Sequence, residues 1–223
     1  MVMRFFRRNG RDGLEHVQRQ LLEMLTRDRE AFDAATSTLL AGGDVALVGP
    51  KLRDTDAQVN ELERVIRREL VVHASVHGAG DIAAVLVYMS IVKDVERIGD
   101  YAKNIYDLAA GGVDFRAAPD RPTMVNYRDR TAKMITEAGV IFAEDDQDRA
   151  RAMLGEADAM LDAFDDLVDA LVVSEDIARD AVPRALFYRH LKRIVAHLMN
   201  LLSAVVVPVD RLDYLDEPEI EDV

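Results

Sequence analysis

The chain contains no cysteine and no tryptophan, and only 12 glycines and 6 prolines among its 223 residues. Without cysteine there is no disulfide, thiolate zinc site, iron–sulfur cluster or cysteine nucleophile. The scarcity of helix breakers leaves room for long helices. Basic residues are in deficit: 28 Lys and Arg stand against 41 Asp and Glu, a formal net charge of −13. A field of that sign repels phosphate backbones, so nucleic acid is not an expected partner. No apolar run approaches the ~18 residues of a membrane span. The start also lacks the apolar core of a secretory signal, so the expected location is the cytoplasm. Residues 1–11 are read as a flexible basic start. There Arg4, Arg7, Arg8 and Arg11 surround Phe5 and Phe6, a composition able to touch the inner face of a membrane. No Gly-rich phosphate loop and no Glu-x-x-His pair occurs, so neither a nucleotide site nor a ferritin-type di-iron oxidase is expected.

Hydrophobic residues make up 49% and charged residues 31%, the composition of a folded globular chain. Apolar positions recur at helical spacing nearly throughout, which predicts an all-α protein. The first helix is expected over Gly13–Ala41, with the stripe Leu14, Val17, Leu21, Leu25, Phe32, Ala35 and Leu39. Gly42-Gly43 stops it, Asp44 can cap the next helix, and Pro50 should kink or restart that helix. The second helix carries Leu52, Val59, Leu62, Ile66 and Leu70, and residues 73–80 read as a turn. Asp81 can cap a third helix ending near Ala110. The Gly/Pro-rich stretch Gly111–Pro122 reads as a linker. Three more helices are expected over Thr123–Ala143, Asp148–Val173 and Asp176–Val207. The plan is two tandem three-helix bundles, residues 12–112 and 120–208, followed by an acidic tail over 209–223. Arg97-Ile98 and Asn104 recur 96 positions later as Arg193-Ile194 and Asn200. Asp56 and Glu63 find counterparts in Asp158 and Asp165, as an internal repeat requires.

The densest chemical signal is the run from Asp94 to Ile105, D-V-E-R-I-G-D-Y-A-K-N-I. Glu96 and Asp100 are four apart and share a helix face, where like charges repel. Asp56, Asn60 and Glu63 form a matching set on the second helix. If helices two and three pack side by side, these groups converge into an oxygen-rich cluster suited to a hard or borderline cation. Acidic pairs at this spacing occur on many solvated helix faces, so spacing alone favours a plain charged surface. His73 and His77 are also four apart but fall at the expected turn, so they are read as structural.

The run Asp94–Ile105 resembles the signature of PhoU domains, roughly D-L-E-R-I-G-D-x-A-x-N-I, with Val95 in place of Leu. Asp56 to Glu63 is similar to that family's D-x-x-x-[DN]-x-x-E pattern. The resemblance implies two pseudo-repeated three-helix bundles and a metal held by acidic motifs. It implies a non-enzymatic negative regulator of phosphate homeostasis. The implied partners are a phosphate transporter, through its ATPase or membrane complex, and a sensor histidine kinase, with a homodimer as the expected assembly. Carried over by match, Glu96 and Asp100 would be metal ligands, with Asp56 and also Asn60 and Glu63 from the second helix. Asp94 belongs to the same motif as an inner or outer ligand. The metal would be iron, zinc, manganese or magnesium. Alternatives are a regulatory subunit of another phosphate or ion transporter, or a metal-dependent carboxylate-cluster enzyme.

The second half departs from the pattern. It reads Lys192-Arg193-Ile194-Val195-Ala196-His197-Leu198-Met199-Asn200, with Lys192 where the family has Glu and Ala196 where it has Asp. Asp158, Asp162 and Asp165 remain on the fifth helix. The expectation is a degenerate site in which Lys192 replaces the cation and pairs with Asp158, Asp162 or both, with His197 a stray ligand beside it.

Overall fold

The computed structural model describes residues 11–212, with side chains from Gly13 onward. The basic start up to Gly10 and the acidic tail beyond Leu212 lie outside the described residues. Six α-helices follow in order: α1 Arg11–Leu40, α2 Val45–His77, α3 Ile82–Ala110, α4 Arg121–Glu144, α5 Gln147–Val172 and α6 Ala178–Val206. Short 3-10 turns stand at Gly78–Gly80 and Val209–Arg211. Among the described residues there is no strand, and no helix is long and apolar enough to cross a membrane.

Each helix forms because one stripe of it is apolar and buried. In α1 the stripe runs Val17, Leu21, Leu25, Phe32, Ala35 and Leu39, all nearly inaccessible to solvent. Gly42 at φ 75° turns the chain out of α1, a backbone state that glycine adopts without strain. The Asp44 carboxylate then caps α2 by accepting from the Ala46 and Leu47 amides at 2.9 and 3.3 Å. Pro50 lies inside α2 without ending it. α2 also runs further than expected: residues 73–77 are helical, not a turn, and the chain breaks only at Gly78, at φ 67°. Asp81 stands at the N-terminal boundary of α3 but does not cap it with its side chain. Its carboxylate instead meets His73 Nε2 at 2.9 Å.

α1, α2 and α3 pack on one another, and α4, α5 and α6 do the same. The halves are joined by α3 against α6 and α1 against α4, so the buried residues form one continuous core. The linker is fastened into that core. Phe115 is buried against Phe187, with ring centroids 5.7 Å apart, and its amide donates to the Leu39 carbonyl at 2.9 Å. Just beyond it, Asp120 accepts from the Tyr188 hydroxyl at 2.8 Å and pairs with Arg184 at 2.9 Å.

Burial also reveals the register of the repeat. Leu21, Asp28, Phe32, Ala35 and Leu39 of α1 are buried, and so are the residues 103 positions later: Met124, Thr131, Ile135, Ala138 and Phe142. Equivalent positions in α1 and α4 therefore face their own bundles in the same way. One pair stands out, because the α1 member is an acid.

Candidate functional site

Helices α2 and α3 lie side by side, as the expected convergence requires. Glu96 is buried on α3, and Asp100 is half-buried one turn later. Across the groove α2 presents Asp56, Asn60 and Glu63, all half-buried. These acids are laced to basic residues along the groove. Lys103 Nζ lies 2.5 Å from Asp56 Oδ1 and 3.0 Å from Asp100 Oδ1, so one ammonium bridges the two helices. Lys93 Nζ lies 2.6 Å from Glu96 Oε2, outside hydrogen-bonding geometry, and 3.9 Å from Glu63. Arg97 reaches Asp100 at 3.4 Å, and Arg67 reaches Glu63 at 3.0 Å. Burial is the largest influence on Lys103 and opposes its charge, but hydrogen bonds to Asp56 and Asp100 outweigh it and raise its pKa.

The decisive residue comes from α1. Asp28 is fully buried, and neither carboxylate oxygen has a hydrogen-bond partner. Burial holds its pKa well above the ordinary carboxylate range, and the neighbouring charges of Glu96, Asp100 and Asp56 push it further up. Asp28 is thus aimed at the same cluster from the closed side of the groove. The glycine of the Arg97-Ile98-Gly99-Asp100 run explains how it fits: a Cβ on Gly99 would stand 2.4 Å from Asp28 Oδ1. Only a residue without a side chain lets α1 bring this acid so close to α3.

The donor set Asp28, Asp56, Glu96 and Asp100 is all oxygen, which suits a hard or borderline cation. An orphaned, buried carboxylate beside three others is the group that such an ion would satisfy. The surrounding ammonium and guanidinium groups neutralise the outer acids, yet none pairs with Asp28. In this arrangement the acids are spread toward Lys93 and Lys103, and no three of their oxygens lie within 4.8 Å of one another. An ion held by these four acids would require their side chains to rotate.

Comparison with known proteins places this groove. Residues 21–109, which run from Leu21 within α1 to one residue short of the end of α3, match the PhoU domain model. The chain is 26% identical over 200 residues to a phosphate-specific transport system accessory protein PhoU homolog of Synechocystis, covering 86% of this chain and 87% of that one. It is 27% identical over 213 residues to the homolog of the same description in Aquifex aeolicus, covering 93% and 92%. The chain carries a PhoU domain in its first half. The fold agrees: the crystal structure of PhoU from Pseudomonas aeruginosa superposes with a TM-score of 0.74 at 23% identity, over 88% of this chain and 97% of that one.

Within this PhoU domain the signature run splits by helix face. Asp94 does not join the acidic groove. Two residues before Glu96 on a helix, it points to the other side of α3. There its Oδ1 accepts from Asn200 Nδ2 and faces His197 Nδ1, each at 2.8 Å, on α6. His197 is correspondingly no part of a second site; it stacks on Tyr101 at 5.8 Å, and Tyr101 in turn accepts from Arg193 Nε at 3.1 Å. These residues join the two bundles. Asn104 is exposed.

The second groove of the PhoU-like pair has lost its acids from two helices. Thr131 stands at the Asp28 position, Lys192 at the Glu96 position and Ala196 at the Asp100 position. Lys192 pairs with Asp165, not with Asp158 or Asp162, both of which are exposed. The reason is register: Asp165 corresponds to Glu63, the acid that approaches the same level of α3 in the first groove. Asp28 itself was hidden among the surface-looking charges of α1. Its signal is the seven-residue step in the apolar stripe from Leu25 to Phe32, because position 28 fills that gap.

Proposed function

We propose that this chain is a regulatory accessory protein of phosphate uptake that works by binding rather than catalysis, and that its first groove takes up a divalent cation. The relatives' description as accessory proteins of a phosphate-specific transport system supports the first part. The second part rests on one observation: Asp28 is buried with both oxygens unpartnered and faces Glu96, Asp100 and Asp56. Asp28, Asp56, Glu96 and Asp100 would hold the ion, with Glu63 and Asn60 at its α2 edge. A bound cation supplies positive charge where three helices meet. Asp28 then ionises without penalty, and α1, α2 and α3 are drawn to a common point.

A regulator changes a partner's state only by contacting its two states unequally. The partners implied by this reading are the ATPase or membrane complex of a phosphate transporter and a sensor histidine kinase, met in the cytoplasm. Iron, zinc, manganese and magnesium are the candidate ions.

The experiment has two arms. Purified chain is dialysed against each metal, and bound metal is measured by mass spectrometry for the wild type and for the double variant Asp28→Asn, Glu96→Gln. In cells grown on ample phosphate, phosphate uptake is measured for a deletion strain carrying either form. The expected result is metal loss in the variant and uptake that stays high, as in the deletion. A variant that keeps its metal and restores normal uptake refutes the reading.

A further inference from the structure

Away from the groove, at the far end of α2, a different set of ligands comes together. Glu69, His73, His77 and Asp81 recur at every fourth position. Among the described residues, His73, His77 and Asp81 are the one trio of histidine and carboxylate groups whose ligand atoms already lie within 4.8 Å of one another. His73 and Asp81 are each more than nine-tenths buried, whereas His77 is exposed. The two imidazoles lie almost parallel, with centroids 4.1 Å apart and planes 10° apart. The Nε2 edge of His73 faces Asp81 Oδ2 at 2.9 Å. Its Nδ1 edge is covered by the start of α1, where a Cβ on Gly13 would stand 2.9 Å away.

We infer that His73, His77 and Asp81 form a zinc site that clips the end of α2 to the start of α3. Two imidazoles and one carboxylate are a characteristic zinc donor set, and they leave a fourth position for water or an incoming ligand. Ligands of a tetrahedral zinc lie about 3.3 Å apart, given zinc–nitrogen distances of about 2.0–2.1 Å. The trio therefore closes on an ion by rotating side chains, with no movement of the backbone. His73 would ligate through Nε2 as the Nδ1-protonated tautomer, the ion taking the place of the proton between Nε2 and Oδ2. The last turn of α2 carries the negative end of its helix dipole, which favours a cation there. A clip also has a purpose at this corner. The chain turns through Gly78-Ala79-Gly80, and a Cβ added at Gly78 or Gly80 would meet nothing within 4 Å. A buried His73–Asp81 pair alone accounts for two of the three residues; it gives no reason for an exposed histidine stacked on the first.

This site is independent of the acidic groove, and one experiment separates them. Zinc affinity of the full chain is measured by competition with a chromophoric chelator, for the wild type, His77→Ala, Asp81→Asn, and the groove variant Asp28→Asn, Glu96→Gln. His77 is exposed, so His77→Ala leaves the helical circular dichroism and the melting point in chelator unchanged. The expected result is one zinc bound about tenfold or more weakly in His77→Ala and in Asp81→Asn, and unchanged in the groove variant. Cobalt(II) on the wild type should give the strong visible absorption of a four-coordinate ion, lost in His77→Ala. A wild type that binds no zinc, a His77→Ala variant with undiminished binding, or the weak absorption of a six-coordinate cobalt overturns the assignment.

Discussion

Replacing Asp28 by Asn tests whether the buried acid is built for a cation. The amide has the same shape, so it fits beneath Gly99, and its two N–H groups can donate to the surrounding carboxylates. In the metal-free chain Asp28 carries the cost of a buried polar group without a partner, about 1–3 kcal/mol. Removing that cost should raise the melting temperature in chelator by about 2–12 °C, at roughly 2–4 °C per kcal/mol for a chain of this size. The pH dependence fixes the sign. The folded pKa of Asp28 is raised, so the unfolded chain releases the proton first and binds fewer protons than the native state. Stability of the wild type in chelator therefore falls as pH rises above the unfolded value of about 3.9, until Asp28 ionises in the fold. The two curves should converge at low pH and separate toward neutrality. Saturating metal reverses the order: at a hundredfold excess over Kd the wild type gains about 2.7 kcal/mol, and Asp28→Asn gains much less. Thermal melts from pH 4 to 8, with chelator and with metal, read all of this. An Asn variant that melts at or below the wild type in chelator, with the same pH profile, refutes the reasoning.

Four further outcomes follow from the same geometry. Asp94→Ala leaves His197 and Asn200 without their shared acceptor and should lower stability by about 2–4 kcal/mol; calorimetry on the same variant should show groove metal affinity unchanged. Gly99→Ala drives a Cβ onto Asp28 and should cost about 1–3 kcal/mol, and denaturation of the double variant with Asp28→Ser should recover most of that loss. Tyr188→Phe removes a hydrogen bond to the charged Asp120, so its melting temperature should drop by about 3–12 °C. Lys192→Met breaks a half-exposed ion pair and should shift stability by less than about 1 kcal/mol; a loss of several kcal/mol in urea titration would show that Lys192 holds the second groove together.

The helices and their grouping were legible because amphipathic stripes and glycine stops are local signals. The α2–α3 half of the groove was legible for a related reason: acids at positions 56 and 63, and at 96 and 100, repeat at helical spacing. Asp28 was harder, since a single acid in α1 looks like one of many surface charges. Only its place within the apolar stripe marks it, and that reading requires trusting the period through the gap between Leu25 and Phe32. Asp94 misled in the opposite way. Adjacency in a dense motif suggested a shared task, whereas two residues along a helix turn a side chain through about 200°. The end of α2 was misplaced because histidines near Gly78 resemble a turn. Which acid Lys192 would choose depended on how α5 and α6 are set against each other, and no local pattern encodes that.

α3 is a single stiff rod with dissimilar cargo on its two flanks. One flank carries the carboxylates of the groove; the other, through Asp94 and Tyr101, grips α6. The helix that bears the groove's carboxylates is thus the same one that ties in the half where Thr131, Lys192 and Ala196 stand at the positions of Asp28, Glu96 and Asp100.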